Sequence, residues 1–241
     1  MEVKELKKIL TERQDFITPS AFTEKYGIKF SHHDGKMAGF DSLSTSCKEN
    51  PFCQRNMAIA GSICEDCFSD DLLNCRKSLS KVLENNYNIL TTLEIPVEEW
   101  PLINMALFRI ESFGDLFNTI QAQNYLHFIM RNPDTHFAWW SKSPHIILQA
   151  LEKEGYDVKK KERPQNCTFI VSSIMKNREV GLAKWQKAFY FIDKEFTVYT
   201  LEWLVENNKD ASFINCGARK CLECKNCYLN KGDKQVRELR K

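Results

Sequence analysis

The apolar positions of this chain fall into two rhythms. Leu79, Val82, Leu83, Tyr87 and Leu90 recur at the spacing of an amphipathic helix. Beyond them, short runs rich in β-branched and aromatic residues alternate with helical stretches. Strands are predicted over 106–110, 137–140, 169–173, 196–199 and 212–215, and helices over 120–130, 144–154, 181–188 and 201–207. Strand and helix in turn, at these lengths, imply right-handed βαβ units and a parallel sheet. The expected fold is therefore α/β, a βα-repeat parallel sheet that is barrel-like or a partial TIM-type barrel.

Before residue 75 the pattern is different. Val3, Leu6, Ile9 and Leu10 predict a helix over 3–14, and Thr18-Pro19 reads as an N-cap with proline at the first helical position, closed by Gly27. From 31 to 75 periodicity is lost and five cysteines appear, which predicts an irregular segment clamped by something other than a core. The whole reads as one α/β domain over 1–241. It comprises an N-terminal helical segment (1–30), a cysteine-rich loop (31–75), βα repeats (76–215) and a C-terminal cysteine cluster with a basic tail (216–241).

Composition narrows the chemistry. The ten cysteines sit in a chain that is 43% hydrophobic and needs no disulfides to build a core. The N-terminus is charged and not a signal sequence, and no stretch approaches the ~20 apolar residues of a membrane span. These features predict a cytosolic protein with no membrane partner, where cysteines ligate metal sooner than they form disulfides. The near-neutral charge, 34 basic against 32 acidic residues, leaves nucleic acid undecided.

Cys216-x4-Cys221-x2-Cys224-x2-Cys227 could supply four thiolates to one 4Fe–4S cubane. Zinc sites more often pair two Cys-x2-Cys knuckles across a longer spacer, so zinc stands as the alternative. Cys64-x2-Cys67 is a knuckle that Cys47 and Cys53 could complete. Two arrangements stay open: this quartet holds its own centre, or some of its members join the C-terminal cysteines at one shared site. Cys167 abuts a strand and reads as core; Cys75 is open between core and ligand. His32 and His33 read as solvated loop residues, and Trp185 and Trp203 as core.

The ends of the predicted strands carry polar groups: Glu111 to Asp115, then Ser141-Lys142-Ser143, then Ser172-Ser173, then Cys216. Ligand sites in parallel α/β folds lie at these carboxyl ends. Arg109 and Ser172 are therefore candidate binders of a small anionic substrate, and Asp115 and Lys142 are candidate catalytic residues, Lys142 holding charge and Asp115 moving a proton. A competing expectation is a metal-stapled nucleic-acid or protein adaptor. It rests on the basic residues from Arg219 onward, the Lys159-Lys160-Lys161 loop, and an exposed Trp139 or Trp140.

The order of motifs resembles a family. Gly35-Lys36-Met37 precedes Cys64-x2-Cys67-Phe68, and Phe108-Arg109-Ile110 runs into Ser112-Phe113-Gly114-Asp115. Asn132-Pro133 precedes Phe137 to Ser143, and a Cys-x2-Cys-x2-Cys-aromatic run ends at Tyr228. This resembles the phage and prophage "gene product eighty-eight" type, over about residues 35–228. The resemblance implies a cysteine-rich iron–sulfur α/β protein, barrel-like in the manner of radical S-adenosylmethionine enzymes, in a bacterial host cell. The Cys-x3-Cys-x2-Cys triplet of those enzymes is missing, so the resemblance implies no radical mechanism.

Overall fold

A computed structural model describes residues 17–217, 219–229 and 232–240. The helix expected over 3–14 lies outside them. Seven strands form one sheet in chain order: β1 (Ser31–His32), β2 (Asp41–Leu43), β3 (Leu107–Ile110), β4 (His136–Ser141), β5 (Cys167–Ser172), β6 (Lys194–Tyr199) and β7 (Gln235–Leu239). β1 runs antiparallel to β2, and every later pairing is parallel. Sequential order with right-handed crossovers sends the helical connections from β3 to β5 over one face of the sheet, where α5 and α6 pack.

The helices are α1 (Pro19–Tyr26), α2 (Pro51–Met57), α3 (Phe68–Cys75), α4 (Lys77–Leu90), α5 (Thr119–Arg131), α6 (Pro144–Lys153), α7 (Leu182–Ala188) and α8 (Leu201–Glu206), with a single turn, α9 (Cys221–Cys224), near the end. Period-two alternation sorts the strand residues. Phe108, Ile110, Phe137, Trp139, Phe169 and Val171 pack under α1, α4, α5 and α6 in the main core. Leu107, Ala138, Trp140, Ile170 and Phe196 point the other way, onto a second cluster with Phe40 and Tyr228.

No backbone ladder joins β7 to β1 among the described residues. The sheet's margins nevertheless meet. Five inter-strand steps of about 4.8 Å would separate β2 from β7 by roughly 24 Å in a flat sheet. Yet Lys36, in the β1–β2 turn, reaches Glu238 of β7 at 2.6 Å, and Phe40 stacks on Tyr228 with centroids 4.5 Å apart. The sheet curls, and side chains bridge what the ladder does not.

Three expectations need correction. The segment 31–75 is not irregular: it holds β1, β2, α2, which is capped by Asn50 accepting from Phe52 N–H, and α3. Elements this short show no hydrophobic period. The strand expected over 212–215 is a 3-10 turn (Ala211–Phe213) capped by Asp210, followed by one bridge from Cys216 to Glu238. The last true strand, β7, lies in what reads as a basic tail. Arg237 is paired with Glu179 at 2.6 Å and Arg240 with Asp66. The cysteine segments are thus not terminal appendages but connections within the sheet, β2 to β3 and β6 to β7.

Candidate functional site

A cavity of about 960 Å3 opens between the strand ends and the helix-free face. Cys47, Cys53, Cys64 and Cys67 line one part of it, and Cys216, Cys221 and Cys227 another.

The first group lies beyond the carboxyl ends of the strands. Cys47 follows β2 by four residues, Cys53 sits in α2, and Cys64 and Cys67 bracket a turn leading into α3. That turn is fastened over the end of β5: Ile63 N–H donates to Ile174 O (2.9 Å) and Lys176 N–H to Gly61 O (2.9 Å). The Lys176 ammonium also holds Glu65 (2.9 Å) and Asp66 (3.2 Å). Cys67 is the N-cap residue of α3. Its thiol is held below the ordinary value, first by a hydrogen bond from Cys47 and then by the N–H groups of Asp70 and Ser69, while Cys47 is raised in return. Burial raises Cys53 and Cys64.

Lys142 and Asp115 meet in this group. Burial works against the Lys142 charge, but Cys64, Asp115, Cys53 and Cys67 around it hold the ammonium above its usual value. Its Nζ lies 3.7 Å from Asp115 Oδ2. The Asp115 carboxylate accepts from Ser141 Oγ (2.6 Å), Lys142 N–H (2.9 Å) and Leu116 N–H (2.8 Å). Both residues thus stand beside the thiols, and Asp115 is already engaged with β4.

Glu111, whose role the sequence hides, anchors the same region. It is buried, sits at φ 58°, and accepts from Thr45 N–H (3.2 Å), Thr45 Oγ1 (2.8 Å), Gly114 N–H (3.2 Å), Gln121 Nε2 (2.9 Å) and Tyr125 OH (2.5 Å). The loops after β2 and β3 approach so closely that a Cβ on Gly114 would lie 2.7 Å from Thr45 O. A carboxylate directly after a strand, three residues before glycine, was the available signal.

The second group lies lower, against the sheet. Cys216 bridges to β7, Cys221 and Cys224 end α9, and Cys227 precedes Tyr228, whose ring packs with Ala138 and Ile170. Burial, then Cys216, Cys221 and Cys224, push Cys227 up to about 12. Two cations face these thiols. Lys36 Nζ is 3.2 Å from Cys216 Sγ, and Arg109 acts on Cys221 and Cys227. Cys224 interacts with Cys221 and Cys227 but does not line the cavity. Both cysteine segments line the same cavity, the first at the strand ends and the second against the sheet. Among the described residues, no three cysteine sulfurs lie within 4.8 Å of one another.

The middle of the cavity carries Arg109, Trp140, His33 and Ser172. The Arg109 guanidinium lies 4.5 Å from the Trp140 ring and donates from Nε to Glu111 O (3.2 Å). His33, bonded to Ser42 Oγ (2.7 Å), is lowered to about 4 by burial first and by Arg109 second. It lines the cavity, unlike the solvated residue the loop pattern implied. Cys167 lies fully buried in the helix-side core, and Cys75 is exposed. Trp139 is fully buried and Trp140 is half-buried beneath Arg109, so neither offers the stacking face expected of an adaptor. Arg237 and Arg240 are in ion pairs, while Arg219, Lys220, Lys225 and Lys234 stay exposed.

Among the described residues no helix is long and apolar enough to cross a membrane. Comparisons with protein-family models, curated proteins and solved structures return no match to this chain.

Proposed function

We propose that the two cysteine quartets are the ligand sets of two cubane iron–sulfur centres at the two ends of one cavity. The protein would then be a redox or cluster-dependent enzyme acting on a small anionic substrate held between them. The observation that carries this reading is the duplicated arrangement: two groups of four cysteines, each beside a cation, with seven of the eight lining one cavity. Thiolates are the donors such clusters take, and four complete a cubane without an open iron. Tetrahedral zinc, with Zn–S about 2.3 Å, would draw its sulfurs to within roughly 3.8 Å of one another.

When bound, such centres supply one-electron transfer. The chain's own residues set the conditions for it. Lys142 at the first quartet, and Lys36 and Arg109 at the second, offset the negative charge of ligating thiolates. Arg109, set over the Trp140 ring, lines the cavity and suits an anionic ligand. The resemblance to the phage family rests on motifs alone and is consistent with this reading.

Anaerobic purification with a visible spectrum and iron, sulfide and zinc analysis tests the proposal. About eight iron and eight sulfide per chain are expected for two cubanes, falling to about four in Cys64→Ala and in Cys227→Ala. A colourless protein carrying zinc would overturn it and favour the metal-stapled adaptor. A preparation in which either variant loses all iron would overturn the two-centre arrangement.

A further inference from the structure

Away from the cavity, on the helix layer, one cluster of ligating side chains is built more tightly than either quartet. Glu94, His127 and Glu154 each present a ligand atom, and these atoms all lie within 4.8 Å of one another. Three elements bring them together: the loop after α4 carries Glu94, α5 carries His127, and Glu154 caps the end of α6. His127 is buried, Glu154 half-buried and Glu94 exposed, so the cluster opens to solvent on one side.

Each ligand is held by a partner of its own. His127 Nδ1 lies 2.7 Å from the Ile95 carbonyl, which can only accept. Nδ1 therefore carries the hydrogen, and Nε2 faces the carboxylates. Glu154 keeps its outer oxygen on Gln123 Nε2 (2.8 Å) and turns Oε2 toward His127 Nε2 at 2.9 Å. The loop bearing Glu94 is pinned by Asn124, which accepts from Ile95 N–H (2.8 Å) and donates to Leu90 O (2.9 Å) and Leu93 O (2.7 Å). Gln123, Asn124 and His127 thus sit within five consecutive positions of α5 and order the whole cluster. A histidine donating one ring nitrogen to a carbonyl while the other meets carboxylates is the outer-sphere pattern of metal ligands.

An imidazole lone pair and a carboxylate oxygen cannot face each other without a cation between them. A proton meets that need, and so does a metal ion. We propose that Glu94, His127 and Glu154 bind a zinc-class divalent cation, with a fourth coordination position open to solvent beside Glu94. One nitrogen and two carboxylate oxygens are a donor set zinc accepts, whereas the all-thiol quartets offer sulfur only. Around a tetrahedral ion the 2.9 Å Nε2–Oε2 separation opens to about 3.3 Å, a small adjustment for a capping residue. The site shares no residue with the thiol quartets and stands whatever metal they hold.

The test uses the full chain, prepared anaerobically, equilibrated with zinc and desalted. Wild type is expected to retain about one zinc more than Glu94→Gln, and the wild-type-minus-variant X-ray absorption signal should show only nitrogen and oxygen neighbours at about 2.0–2.1 Å. Glu94 is exposed, so the variant should unfold at the wild-type temperature when zinc is absent. Glu94→His, which restores a ligand, should retain the zinc. Equal zinc in wild type and Glu94→Gln overturns the proposal, as does sulfur in the difference shell.

Discussion

Replacing Glu111 by alanine tests how the first thiol group is held. Five donors converge on this buried carboxylate, two of them backbone N–H groups, of Thr45 and Gly114. The side-chain donors can fall back on one another, since Gln121 Nε2 already reaches Tyr125 OH (3.1 Å) and Thr45 Oγ1 (3.3 Å). The two N–H groups cannot, and leaving each unsatisfied costs about 1–3 kcal/mol. Removing the desolvated carboxylate returns part of that, so the net loss is about 2–5 kcal/mol. At 2–4 °C per kcal/mol for a chain of this size, thermal unfolding should fall by roughly 4–20 °C. Thr45 lies two residues before Cys47, so if the quartets hold metal, that of the first should be lost before that of the second. Glu111 also sets a sign for pH. Burial raises its carboxyl, so the folded chain binds more protons than the unfolded one from about pH 4.3 up to the raised value. Its contribution is present below that window and lost as pH rises through it, and Glu111→Gln should flatten the slope. Circular dichroism melts of the apoprotein across pH read both effects. An alanine variant melting within about 2 °C of wild type would refute the reasoning.

Other residues give further tests. His33, lowered to about 4, should make the fold lose stability as pH drops from about 6.5 to 4, by roughly 1–3 kcal/mol after discounting its partial exposure, and His33→Gln should lose less; equal acid slopes in urea titrations would sink this. Lys142→Met removes a unit charge from the first quartet, which at about 6 Å and an effective dielectric of about 20 is worth roughly 3 kcal/mol. If that quartet holds a redox centre, its potential should fall by roughly 100 mV in a redox titration; an unchanged potential would separate Lys142 from the centre. Arg163 grips Asp193 with two nitrogens (2.6 and 2.7 Å), so Arg163→Met strands a mostly buried carboxylate and should cost about 2–4 kcal/mol; a melt within 1 °C of wild type would argue against it.

The alternating strands and helices from residue 106 to 207 were legible because each carries its own period and its own stop, such as Pro144 at the start of α6 and Gly155 just past its end. β7 was not. Gln-Val-Arg-Glu-Leu has one buried apolar residue, Val236, while Arg237 and Glu238 are ion-paired and Gln235 donates to Glu195, so its strand character lies in the ladder with β6 and not in its hydrophobicity. The short α2 and α3 were hidden for a related reason. Each is bounded by an N-cap residue, Asn50 or Cys67, and each spans about two turns, too few for a stripe to recur.

The candidate site was legible as residue types but not as partners. Spacing identified the cysteines, and strand ends identified Asp115, Lys142 and Ser172, yet their pairing depends on the curl of the sheet. In chain order the first quartet follows β2 and the second precedes β7, near opposite margins of a seven-stranded sheet. A flat sheet would leave the groups on separate surfaces. The contacts of Lys36 with Cys216 and Glu238, of Phe40 with Tyr228, and of Arg240 with Asp66 draw the margins together around one cavity. Several of these cross-margin residues also flank a thiol: Lys36 beside Cys216, Tyr228 next to Cys227, Asp66 between Cys64 and Cys67. The residues that bridge the sheet margins are thus largely those that flank the thiols, and any metal bound at either quartet should stabilise the curled sheet by mass action.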